Sequence, residues 1–226
     1  MVIERFSRQR VSLAAWTGLF VALVVPFLTY LAGQALFGAV QTSARVVSGL
    51  VFHWINLAVL VAIVLWWERQ PLGSIGVRPV RWWTIPAGLV AGIAITILTG
   101  SLVSVLRLSS DATFASFLQS MPFAIRVLLA ITAGVFEETL YRGYALERLT
   151  TIWGSKWLAA VATVAAFTLA HVPAVGISHL APVGIASILV TLLYLWRRDL
   201  ILNMVAHATV DAVGLLLVPI AAHGVR

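Results

Sequence analysis

Apolar runs of bilayer-crossing length, repeated from one end of the chain to the other, are the feature that most limits how it can fold. They fall at about 11–32, 46–67, 84–106, 123–146, 157–172, 181–197 and 200–222. A helix needs roughly 20 apolar residues to cross a hydrocarbon core about 30 Å thick. In lipid, every backbone amide must also be satisfied within the spanning structure. The short alternating segments of a transmembrane barrel are not seen. With 61% hydrophobic and 10% charged residues, and a mean hydropathy of +1.01, the chain lies far outside the composition of a soluble domain. The expected fold class is all-α: a polytopic integral membrane helical bundle of about seven transmembrane helices. Residues 1–226 are read as a single integral membrane domain, with no internal repeat.

The net charge of +7 falls mostly at the ends of the apolar runs, where basic residues act as topology signals. No basic patch with interleaved aromatics argues for nucleic acid. With no cysteine, disulfide and thiolate chemistry are excluded. Arg5, Arg8 and Arg10 precede the first run, Arg69, Arg78 and Arg81 follow the second, Arg148 and Lys156 the fourth, and Arg197 and Arg198 the sixth. Counting crossings puts all four groups on one side, which the positive-inside rule makes cytoplasmic, with the N-terminus. The first run is longer than the apolar core of a cleaved signal peptide, so a retained helix is expected. The connection 68–83 is expected to be a loop with Trp82 and Trp83 at headgroup level. A short surface helix capped by Ser110 or Asp111 is expected within 109–122.

Three of the eight acidic residues, Glu137, Glu138 and Asp211, lie inside runs. An unpaired charge at a helix centre costs about 2.5 to 3.5 kcal/mol on insertion scales. These side chains should therefore face the bundle interior with partners. Arg142 follows Glu138 by four residues and shares its helix face. Glu137 is turned about 100° away, free for chemistry. Asn203, His207 and Asp211 recur at intervals of four along one face of the last run, and His171 stands near the end of the fifth. Counted inward from the cytoplasmic side, Glu137, His171, His207 and Asp211 fall at depths of roughly 10 to 21 Å, within reach of the midplane. His53 is read as a structural hydrogen bonder, and His179 and His223 are given no role.

Carboxylates and histidines facing one dry cavity can activate water and stabilise an oxyanion, which suits hydrolysis of a carbonyl substrate such as a peptide bond. The same residues suit zinc, with Glu137, His171 and His207 as its ligands, although the helix motif H-E-x-x-H is absent. No cofactor is assigned: the site works without one, or with zinc or another divalent metal.

"EETLYR" (Glu137 to Arg142), "FTLAH" (Phe167 to His171) and "HATVD" (His207 to Asp211) resemble, in order, the E-E-x-x-x-R, F-x-x-x-H and H-x-x-x-N/D motifs of the CPBP or Abi family, the CAAX prenyl endopeptidase and bacteriocin-processing intramembrane proteases. The resemblance covers about 123–215 as a catalytic core. It implies an endopeptidase in which Glu137 and His171 position and deprotonate the attacking water, and His207 and Asp211 stabilise the tetrahedral intermediate. Glu138 and Arg142 would hold the first motif, with Asn203 in support. The eukaryotic prenyl endopeptidases carry Asn where this chain has Asp211, and an ionised carboxylate cannot donate a hydrogen bond. Asp211 must then be protonated, orient His207 or bind a metal.

The expected partners are the lipid bilayer and a hydrophobic or lipid-modified peptide, with no nucleic acid. The expected location is a bacterial or archaeal cell membrane. The alternative reading is a non-catalytic bacteriocin-immunity or scaffold protein of the same family. A proton-coupled transporter is disfavoured, because matching broken helices in two halves are not seen.

Overall fold

The structure, a computed structural model, describes residues 12–37, 43–107, 120–177 and 180–217. All secondary structure among them is helical. Arg5, Arg8, Arg10, His179, His223 and the expected surface helix as far as residue 119 lie outside the described residues.

The first apolar run is not one straight span. α1 (Leu13–Leu23) begins at Ser12, whose hydroxyl accepts from the Ala15 amide at 3.2 Å. α2 (Val25–Phe37) follows after a bend of 42°. Pro26 stands in the first turn of α2, where a missing N–H and the ring's bulk interrupt a continuous ladder. α3 (Ser43–Ala62) runs on into a π turn at Ile63–Trp67. The connection to α4 (Thr84–Val105) holds a single 3₁₀ turn, Leu72–Ile75. Gly76 closes that turn at φ +80°, and a Cβ there would meet the Tyr194 hydroxyl at 2.2 Å.

The fourth run does not end at 146 as its hydropathy suggested. α5 (Phe123–Glu137) passes into a π-helical segment, Glu138–Leu146, and then into α6 (Glu147–Trp153) without a break. Gly154, at φ +68°, ends it. Ser155 then caps α7 (Lys156–Ala170). After the short α8 (Val172–Val175) come α9 (Leu180–Arg197) and α10 (Leu200–Ala212), the latter capped by the Asp199 carboxylate.

By length and composition Ala44–Trp67, Thr84–Val105 and Leu180–Arg197 are each able to cross a membrane among the described residues, with a fourth crossing where the bent pair of α1 and α2 is taken as one span. Lys156–Ala170 and Leu200–Leu216 are shorter apolar helices. The outside is apolar, with Val90, Ile97, Val161 and Leu169 each more than 60% exposed. The inside holds the polar groups Glu138, Arg142, Thr191 and Asn203. That inversion is what a lipid solvent selects.

α10 is the central helix, wedged between α4 and α5. Its approach depends on missing side chains. A Cβ at Gly92 of α4 would lie 2.5 Å from the Ala206 carbonyl, and one at Gly134 of α5 would lie 2.8 Å from the Met204 carbonyl. Gly88 and Gly92 form the small-xxx-small spacing that lets membrane helices pack backbone to backbone. This close packing carries His207 and Asp211 up against Glu137 and Glu138.

Candidate active site

The site is built on the α-to-π transition in the middle of the long helix. Glu137 is the last α-helical residue and Glu138 the first of the π segment. π turns are rare and often occur at functional sites.

Glu138 is fully buried and fully partnered. Its Oε1 receives Arg142 Nη1 at 2.7 Å and His207 Nδ1 at 2.7 Å, and its Oε2 receives Asn203 Nδ2 at 2.7 Å. The expected Glu138–Arg142 pair is present, and Glu138 also anchors two residues of α10. Arg142 is held in turn by α9. Its Nε donates to the Thr191 hydroxyl at 3.1 Å, and its Nη2 to the Ser187 carbonyl and hydroxyl at 3.0 and 2.9 Å. The guanidinium lies over the Phe167 ring, 4.6 Å from its centroid. Ser187 and Thr191 were missed in the sequence. Their signal was two small polar residues four apart in an otherwise apolar run, which marks one face of α9.

Both histidines are fixed at Nδ1. His171 donates from Nδ1 to the Phe167 carbonyl at 2.8 Å, and His207 from Nδ1 to Glu138. Phe167 packs on both rings, with centroids 4.5 Å from His171 and 5.9 Å from His207. Each Nε2 then faces Glu137. His207 Nε2 is 3.7 Å and His171 Nε2 3.9 Å from Glu137 Oε2, and His207 Nε2 is 3.7 Å from Asp211 Oδ2. The structure thus brings together all four expected site residues. Glu137 keeps 19% of its side-chain surface accessible, and among the described residues it accepts no direct hydrogen bond. His53 stacks on Phe136 with centroids 4.3 Å apart, and among the described residues it makes no hydrogen bond, so the expected hydrogen-bonding role is not seen.

The donor chemistry of Glu137, His171 and His207 suits zinc, but the spacing is wide. Tetrahedral donors about 2.0 to 2.2 Å from zinc stand roughly 3.3 to 3.6 Å apart. Among the described residues no group of three or more His, Cys, Asp or Glu is placed to hold a metal ion. The side chains as arranged do not fit zinc.

Hydropathy ends the fourth run at residue 146, and the depth of Glu137 is counted from there. The unbroken helix moves that reference to Trp153, so the carboxylate lies deeper from that end. His171 stands 15 residues along from Lys156, roughly 22 Å by helical rise.

Residues 119–213 match the family model described as type II CAAX prenyl endopeptidase, Rce1-like. This stretch contains all three motifs and nearly coincides with the core read from the sequence. Over this stretch the chain is similar to the CAAX-protease family, whose members are generally proteases. Comparison with curated proteins and with solved structures gives no match.

Proposed function

We propose that the chain is an intramembrane endopeptidase of the CAAX type, acting on a hydrophobic or lipid-modified peptide. The observation that carries this reading is the set of gaps around Glu137 Oε2. At 3.7 and 3.9 Å the two histidine Nε2 atoms are too far for direct hydrogen bonds and suitably placed for one bridging water.

His171, with its Nδ1 proton committed to a carbonyl, offers a bare Nε2 that orients the water. Glu137 takes the water's proton as the oxygen attacks the scissile carbonyl carbon. The oxyanion forms beside His207 and Asp211. With Nδ1 donating to Glu138, His207 donates to the oxyanion from Nε2 in its doubly protonated form, next to the ionised Glu138. Asp211 adds a second donor when it carries a proton. Collapse of the intermediate breaks the C–N bond, and Glu137 returns its proton to the leaving amine.

A groove of about 510 Å³ between α3 and α5, lined by Leu50, Trp54, Ile55, Leu128 and Thr132, lies along the same helix that carries Glu137. It suits the apolar part of a substrate. We read the chain as multi-pass, with all seven runs in the membrane. The end bearing Arg69, Arg78, Arg81, Lys156 and Arg197 is read as cytoplasmic and shared with the N-terminus, in a bacterial or archaeal cell membrane.

The test is cleavage of a hydrophobic reporter peptide in proteoliposomes. Glu137→Gln and His171→Ala should each lower the rate by about 10²- to 10⁴-fold, the range for loss of a general acid–base group. Full activity in both variants overturns the proposal and favours the non-catalytic alternative.

A further inference from the structure

One end of the bundle is identified by contacts rather than by assumed topology. Arg148 joins α6 to Glu68 and Ser74 after α3, Tyr144 reaches the Ala15 carbonyl of α1, and the Leu200 amide of α10 donates to Gly76. The last turns of α3, α6 and α9 and the first turns of α1, α4 and α7 therefore share this end.

Charge is sorted here. The three described carboxylates, Glu68, Glu147 and Asp199, are all turned inward. Glu68 bonds Arg148 and Tyr144, Glu147 bonds Tyr194 and Arg198, and Asp199 caps α10. Five cations, Arg69, Arg78, Arg81, Lys156 and Arg197, have no carboxylate partner among the described residues, and all but the half-buried Arg197 are exposed. Among the described residues, what this end presents outward is basic. It is also ringed with indoles. Trp66, Trp67, Trp82, Trp153, Trp157 and Trp196 are 43–88% exposed. Arg197 lies between two of the rings, 4.9 Å from Trp83 and 5.0 Å from Trp196, and Lys156 stands 5.5 Å from Trp157. Stacking restrains the Arg197 guanidinium while leaving its N–H fork without an anionic acceptor.

At the described part of the opposite end Arg107 is exposed, but the other two cations are engaged within the protein. Arg45 is buried over Tyr30, and Arg126 donates to the Leu215 carbonyl.

We infer that this Trp-ringed end binds the phosphate headgroups of anionic phospholipids, with Arg78, Arg81 and Arg197 as its principal contacts. Exposed indoles set the headgroup level. A surface whose described exposed charges are cations complements an anionic leaflet at that level, and burial of Glu68, Glu147 and Asp199 removes repulsion that would oppose it. The inference rests on the membrane reading alone and is independent of proteolysis.

The full chain is reconstituted in phosphatidylcholine vesicles containing phosphatidylglycerol. Tryptophan fluorescence is then quenched by brominated phosphatidylglycerol or, at equal mole fraction, by brominated phosphatidylcholine. The native chain should favour phosphatidylglycerol several-fold, and less so as salt screens the face. Each of Arg78→Gln, Arg81→Gln and Arg197→Gln should lower the preference by up to about fivefold. Arg197→Lys keeps the charge and should retain most of it, which separates lipid contact from misfolding. Equal quenching by the two lipids, or a preference unchanged in the triple Gln variant, overturns the inference. So does loss of the preference on adding soluble polyglutamate at low concentration, which would make the face a docking site for a soluble polyanion.

Discussion

Carboxylate networks occur at two levels of the same long helix, and they are built alike. In the π segment, Glu138 holds Arg142, Asn203 and His207. Around α6, Glu68 holds Arg148 and Tyr144, with Arg148 Nη2 at 2.5 Å and the phenol at 2.7 Å, while Glu147 holds Tyr194 and Arg198. Each pairs a buried acid with an arginine and a ring donor from a distant part of the chain. They differ in one residue. Beside Glu138 stands Glu137, with two histidine nitrogens at 3.7 and 3.9 Å and no direct bond. The lower network has no such member. Buried charge alone therefore does not mark a site in this bundle. A closed network is scaffold, and the carboxylate left open beside one is where chemistry can occur.

The largest effect should separate the two networks by function. Glu137→Gln should cut peptide cleavage by about 10²-fold or more with little change in thermal stability in detergent, since Glu137 has no bond to lose. Glu68→Gln should do the reverse, lowering the melting temperature while cleavage per folded molecule stays within about threefold. Equal losses of activity in both variants would break the distinction. Next is Arg142→Ala, which leaves Glu138 buried without its cation. Breaking one side of a buried pair costs about 3 to 5 kcal/mol, so this variant should unfold at much lower temperature. His207 should lose its orientation as well, because its Nδ1 acceptor is the same Oε1 atom.

The upper network was largely legible in the sequence and the lower one was not. Glu138 and Arg142 are four apart on one helix, and His207 and Asp211 repeat that interval on another. Spacing of this kind fixes a shared face, and the cost of charge in lipid then forces the faces together. Glu68 and Arg148 are far apart in sequence and sit at the ends of apolar runs, where charge costs little and reads as a topology mark. Periodicity cannot show that Arg148 turns inward to Glu68 while Arg197 does not. The π segment was illegible for a related reason. Apolar patterning records which residues are buried, and all nine residues of Glu138–Leu146 are buried, so no stripe distinguishes i→i+5 from i→i+4 bonding. The bend at Pro26 is signalled by the proline itself, which apolar length alone does not register.

The next effect concerns stability alone. Tyr144 is fully buried, and its hydroxyl donates to Glu68 Oε1 at 2.7 Å. Hydrogen bonds to charged groups contribute about 1.5 to 3 kcal/mol, so Tyr144→Phe should lower stability by that order. Catalysis per folded molecule should be unchanged. A matched fall in cleavage would tie the lower network to the site and remove the contrast.

The smallest effect should come from Arg198→Ala. Arg198 pairs with Glu147, but 58% of its side chain is exposed, and Tyr194 already donates to the same carboxylate at 2.9 Å. Solvent screens such a pair, and exposed ion pairs are typically worth less than about 1 kcal/mol. The variant should therefore melt within a few degrees of the native chain, well above Arg142→Ala. The comparison is a direct one, because both substitutions remove an arginine from a glutamate on the same helix. If Arg198→Ala proved as damaging as Arg142→Ala, burial would not be what separates the two networks. The cost would instead follow from the ion pair itself, wherever it sits along the helix.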